Sequence, residues 1–222
     1  MCGRYTYTVG EFSDLRIRWN LQSDVPLLAR RYNIAPGQDV PAVARQVDGN
    51  RLALVRWGLV PWWAKDPVIG NRLINARAET LAQKSAFKEL VDRRRCLILA
   101  DGFYEWRKEG KHKVPVWIYL KSKQPFAFAG LWDAWRNPDG GYLKSCAIIT
   151  TEPNDLMRRI HDRMPVILGA EDEAQWVDVE GTTFDLARRL LRPFAADLMD
   201  AHDVSTLVNS PRNDLPACVS PI

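Results

Sequence analysis

Between Arg95 and Thr151 the chain is written in four strand-length runs, "RCLILADGFYEW", "VPVWIYLK", "PFAFAGLWDAW" and "YLKSCAIITT", divided by the turn-rich "KEGKH", "KSKQ" and "NPDGG". This stretch constrains the fold more than any other. Runs of β-branched and aromatic residues punctuated by Gly, Pro, Asn and Asp read as strands with tight reversals, and strands joined so closely pair antiparallel. An earlier pair, "VPAVARQV" and "RLALVRWGLV", flanks the turn signal "DGN", so Asp39 to Val60 reads as a hairpin. Arg4 to Val9 alternate polar and apolar, which is the strand period.

The helical signals are shorter. "AETLAQKSAFKELVDRRR" carries Leu81, Phe87 and Leu90 at helical spacing and predicts a helix there. Thr8 and Glu11 have the spacing of a capping box for a helix running through Trp19. Short helices are expected over 153–160, 171–177 and 183–191. Neither a composition shift nor a repeat divides the 222 residues. The expected architecture is one α+β domain, 1–222, built on a curved or barrel-like antiparallel sheet with short flanking helices.

An apolar fraction of 46% and a charged fraction of 26% belong to an ordinary soluble globular chain. A net charge of +4 suits an anionic partner without requiring one. The start is polar and aromatic where a signal peptide is basic and then apolar, and no apolar run is long enough to cross a bilayer. The expected setting is cytoplasmic and reducing. Cys2, Cys96, Cys146 and Cys218 have no CxxC spacing, which argues against a zinc site or a disulfide framework.

Chemistry enters at Cys2. Aminopeptidases remove Met1 before a small side chain, and the new terminus then bears an amine and a thiol on adjacent carbons. These titrate near ~8 and ~8.5 and together convert an aldehyde first to an imine and then to a hydrolysis-resistant thiazolidine. The alternative is a small residue near a terminus with no reactive role.

Four other segments bear on that choice. In "INARAET", Asn75 and Arg77 lie two apart and share a face if extended, an amide beside a guanidinium. Glu105, between Tyr104 and Trp106, is either an exposed strand carboxylate or a half-buried one with a raised pKa. In "RRIHDRMPVIL", His161 and Arg163 share a face of an extended segment, and His161 is either a proton carrier or a hydrogen-bonded structural histidine. "RWGLVPWWAKD" gathers Trp57, Trp62 and Trp63 in an irregular stretch with Arg56, Arg72 and Arg77 nearby. Arginines with aromatics describe a single-strand groove, and a core turn packed with indoles is the other reading, preferred for Trp57.

Taken in order, "MCGRY", "RYNIAPGQ", "RWGLVPWWAKD", "INARAET", "CLILADGFYEW", "PFAFAGLWD", "AIITTEPN", "IHDRMPVIL" and "VSTLVNSPRND" resemble the SRAP family, the SOS-response-associated peptidases also understood as abasic-site processing proteins. The resemblance implies a thiazolidine crosslink between Cys2 and the ring-opened abasic sugar of single-stranded DNA, with AP lyase and crosslink reversal as related activities. It assigns Cys2 as nucleophile, Asn75 as its positioning partner, Glu105 as a proton-transfer group and His161 as acid-base catalyst. Arg77 and Arg163 match phosphate-holding positions, while Arg4, Asn33, Pro36, Trp62 and Trp63 match the DNA groove. It implies no metal, no organic cofactor, no membrane, and a monomer as the working unit. Two rivals stay open: an N-terminal-nucleophile peptidase or amidohydrolase, and a noncatalytic module for modified bases such as 5-hydroxymethylcytosine.

Overall fold

The computed structural model describes residues 2–8, 13–21 and 28–222. Along the chain run β1 (Tyr5–Tyr7), β2 (Arg31–Ile34), β3 (Asp39–Gln46), β4 (Gly49–Trp57), β5 (Asn75–Arg77), β6 (Arg95–Ala100) and β7 (Gly102–Glu109). They are followed by β8 (His112–Leu120), β9 (Phe126–Arg136), β10 (Tyr142–Thr151), β11 (Met164–Pro165), β12 (Ile167–Leu168) and β13 (Met199–Asp203). The helices are α1 (Ser13–Arg18), α2 (Ala170–Val177) and α3 (Phe184–Ala187). None is long and apolar enough to cross a membrane.

The expected hairpin forms in full, from Asp39 opposite Arg56 to Gln46 opposite Gly49. β3 continues onto β6, β6 onto β9, β9 onto β10, and β10 returns to β4, so these five strands close a barrel. Only the last pairing is parallel. Closure leaves those strands no free edge among themselves, and Val43, Leu97, Ile98, Phe128, Ala147 and Ile148 on them are each at most 1% exposed. Against the barrel lies a second sheet in the order β13-β8-β7-β1-β2. Tyr5 joins the two layers, its ring edge-on to Trp57 (5.2 Å) and to Phe128 (5.7 Å).

Three expectations need correction. The run "RCLILADGFYEW" is two strands in two sheets, split at Asp101. That carboxylate accepts from Thr6 Oγ1 (2.5 Å), from the Thr8 backbone N–H (2.6 Å) and from Thr8 Oγ1. β1 does not alternate: Tyr5, Thr6 and Tyr7 are all buried, because Asp101 and the Trp117 indole cover Thr6 from the second face. The segment 78–94 is a 3-10 turn (Ala78–Thr80) followed by separate turns, not a continuous helix. Its hydrogen bonds restart at the carbonyls of Thr80, Lys84, Phe87 and Leu90, yet Leu81, Phe87, Leu90 and Val91 still face the core as the spacing required. Of the expected capping box, Glu11 lies outside the described residues, and 153–160 contains only the 3-10 turn Met157–Arg159.

Candidate active site

Cys2 is carried into the core by β1. The chain from Arg4 runs beside β7, with Tyr104 N–H donating to Arg4 O (2.9 Å) and Tyr5 opposite Phe103. The side chain of Cys2 is fully buried. Burial pushes its thiol well above the usual range, and the negative charge of Glu105 pushes the same way. The Asn75 amide donates to the Cys2 carbonyl (2.8 Å), and its own Oδ1 is buried with no partner among the described residues.

Asn75 is placed by the irregular stretch before it. The buried Trp57 indole donates to Ile74 O (2.9 Å), Leu59 N–H to Leu73 O (3.1 Å), and Ile148 N–H to Ile74 O (3.1 Å). Gly58 sits at φ +128, and a Cβ there would meet Gly70 O at 2.8 Å, so two backbones close against each other where only glycine fits. β5 then lies parallel to β10, with Asn75 opposite Ile148 and Arg77 opposite Thr150. On the other side of β10, Thr150 is opposite Pro165 of β11. Arg77 and Arg163 therefore flank one strand end, from segments more than 80 residues apart in sequence.

Glu105 is buried at the same end of β7, opposite Val116. Burial raises its carboxyl pKa, and His161 works against that rise. Its Oε2 is 3.9 Å from His161 Nε2, close enough for charge coupling and too far for a hydrogen bond. The Arg163 backbone N–H donates to His161 Nδ1 (3.0 Å), and Asp162 Oδ1 is 2.9 Å from that nitrogen. Both cannot be hydrogen bonds of one ring state. In the neutral tautomer whose Nδ1 accepts from the backbone N–H, the ring proton sits on Nε2, the nitrogen nearer Glu105; in the other, Nδ1–H donates to the exposed Asp162.

The two tryptophans expected in a groove are exposed, Trp62 at 59% and Trp63 at 44%, whereas Trp57 is fully buried. Their loop is held by three bonds from the barrel. Val60 N–H donates to Ser145 Oγ (2.7 Å), Trp62 N–H to Asp133 Oδ2 (2.8 Å), and the Trp135 indole to Ala64 O (2.6 Å). Pro36 and Arg77 are also exposed. Arg4 and Asn33 bond to each other and to the C-terminal tail. Asn33 is fully buried, its amide donating to the carbonyls of Val208, Ser210 and Asn213, and Arg4 Nη1 donates to Asn33 Oδ1 (2.8 Å) and Val208 O (2.6 Å). They anchor the C-terminal tail. Sequence reasoning missed Asp133, Ser145 and Glu79, whose roles depend on partners remote in sequence; the carboxylate inside the apolar "GLWDAW" was the one visible hint.

A family model described as SOS response associated peptidase (SRAP) matches residues 1–211. The chain belongs to this family. Among its relatives are the "Abasic site processing protein YoqW" of Bacillus subtilis (strain 168), 47% identical over 99% of each chain, and the "Abasic site processing protein HMCES" of Xenopus tropicalis, 34% identical over 86% of this chain and 66% of that protein. A crystal structure of a Bacteroides thetaiotaomicron protein superposes with a TM-score of 0.89 at 30% identity, covering all of both chains. The SRAP barrel and its flanking sheet are thus shared by fold as well as by sequence.

Proposed function

We propose that this chain, once Met1 is removed, processes abasic sites in single-stranded DNA by forming a thiazolidine through Cys2. The observation that supports the reading is the pairing of Cys2 with Asn75 (2.8 Å) and of Glu105 with His161 (3.9 Å), from four separate segments, with Arg77 and Arg163 flanking the end of β10. A closed abasic sugar must first be opened, and the His161 Nε2 proton suits its ring oxygen. The Cys2 amine then adds to the sugar C1′ aldehyde. The aldehyde oxygen leaves as water and an imine remains. The thiol, kept protonated by burial, adds second: its sulfur bonds C1′ and its proton passes to the imine nitrogen. Glu105, whose carboxyl pKa is raised by burial, accepts and returns protons, and the same groups serve reversal. An imine also acidifies the neighbouring carbon, so β-elimination is a side path. Arg77 and Arg163 take flanking phosphates, while Trp62, Trp63 and Pro36 border the strand. Arg4 and Asn33 act on this groove through the tail they hold. We place the protein in a reducing compartment, acting as a monomeric unit spanning 1–222.

The test is intact-protein mass spectrometry after incubation with an abasic single strand. The expected product is a heat-stable adduct at the mass of protein lacking Met1 plus DNA less one water, absent with Cys2→Ala. Cleavage of a peptide or glutamine substrate with no adduct would favour the amidohydrolase, and equal binding of modified-base DNA by Cys2→Ala without any adduct from the native chain would favour the noncatalytic module.

A further inference from the structure

Arg163, assigned above to a phosphate, already holds an anion. Its Nη1 and Nη2 donate to Glu79 Oε1 (2.7 Å) and Oε2 (3.0 Å), a two-pronged pair of the geometry a phosphate takes. Nη2 also donates to Thr150 O (2.8 Å), which fixes the guanidinium plane against β10. Nε is buried without an acceptor among the described residues. The Nη1/Nη2 fork that Glu79 occupies is the two-pronged face an incoming oxyanion would need. Glu79 is the movable member. Its side chain is 51% exposed against 15% for Arg163, it sits on the short turn directly after Arg77, and both its carboxylate oxygens accept from Arg163. Beside it opens a cleft of about 450 Å³ lined by Thr151, Glu152, Arg188 and Leu191, which has room for a displaced carboxylate.

We infer that Glu79 is a resident stand-in for DNA phosphate, exchanged at Arg163 when a strand enters, and that it sets the threshold for strand binding next to the catalytic histidine. This rests on the proposed function, because it takes Arg163 as a phosphate site. With the exchange, the empty site is preorganised and neutral overall, so a weakly held strand must displace a carboxylate before it gains the Arg163 fork. The Arg163 backbone N–H that bonds His161 Nδ1 lies on the same residue, so the exchange happens two residues from the ring that works on the sugar.

The experiment measures noncovalent binding of a lesion-free oligothymidylate, by fluorescence anisotropy across a salt series, for the native protein, Glu79→Gln, Arg163→Gln and the double variant. Exchange predicts that Glu79→Gln tightens binding roughly threefold to tenfold with the salt slope little changed, because the Arg163–phosphate contact forms in both proteins and only the displaced carboxylate differs. It also predicts that the gain vanishes in the Arg163→Gln background. An equal gain in that background would mean simple repulsion from Glu79 and overturns the exchange. Weaker or unchanged binding by a folded Glu79→Gln, checked by its melting curve, would make Glu79 a fixed positioning partner and also overturns it. Adduct formation on abasic DNA is read in parallel with the native chain. Its presence with no Glu79 effect defeats the exchange alone, whereas loss of both native binding and adduct defeats the functional reading as well.

Discussion

Glu105 holds a carboxyl where the surroundings favour its neutral form, and a pH signature follows. Its folded pKa lies above the ordinary value of 4.5 because burial penalises the charge. The folded chain therefore binds this proton more tightly than the unfolded one. Stability attributable to Glu105 is fully present below the unfolded value and is lost as pH rises through the folded one. Glu105→Gln removes that loss, so its stability relative to the native protein is expected to improve as pH rises above the ordinary value of 4.5, read by urea unfolding at each pH. A constant difference across that range would show that burial does not shift this group. Asn75 makes a different kind of prediction. Asn75→Ala deletes the donor to Cys2 O without touching the phosphate groups, so single-turnover adduct formation should slow by roughly 10- to 100-fold while oligothymidylate affinity stays the same.

At the scale of elements, the loop bearing Trp62 and Trp63 separates binding from stability. Trp62 is mostly exposed, and its replacement by Ala should change stability by less than about 0.5 kcal/mol. The same change should weaken single-strand binding by roughly 1–3 kcal/mol through lost base stacking. Asp133 is the reverse case. It is buried, accepts the Trp62 and Ala134 backbone N–H groups, and lies 3.7 Å from Arg94. Asp133→Ala leaves two donors without an acceptor, so a cost of about 1–3 kcal/mol is expected together with weaker DNA binding, while Trp62→Ala shows only the second effect. Chemical unfolding and anisotropy on the two variants decide between these patterns. The Asp133 role was not legible from "GLWDAW", because the group it holds lies 71 residues earlier.

For the molecule as a whole, the tail is closed onto the second sheet by a buried polar clamp. Asn33→Ala would remove the amide bonds to the Val208, Ser210 and Asn213 carbonyls and Arg4's amide acceptor, a loss of roughly 2–4 kcal/mol measurable as a lowered unfolding midpoint. If the midpoint held and only DNA affinity fell, Asn33 would be a direct groove contact instead. The two layers depend on one another, since Tyr5 of the outer sheet packs edge-on against Trp57 and Phe128 of the barrel and leads the chain to Cys2.

The sequence by itself determined the strand-rich class, the Asp39–Val60 hairpin, the burial of Trp57 and the apolar faces of the connecting turns. These follow from local periodicity and turn chemistry, which neighbouring residues carry. It also offered Cys2, Asn75, Glu105 and His161 as candidate site residues through the family resemblance. Tertiary structure alone decided that the 95–106 run bends at Asp101 into two sheets, that β4 and β10 close the barrel in parallel, and that Glu79 occupies Arg163. Each of these depends on pairing between distant segments, where the favourable contact exists only after the chain has closed a long loop, so no local pattern records it.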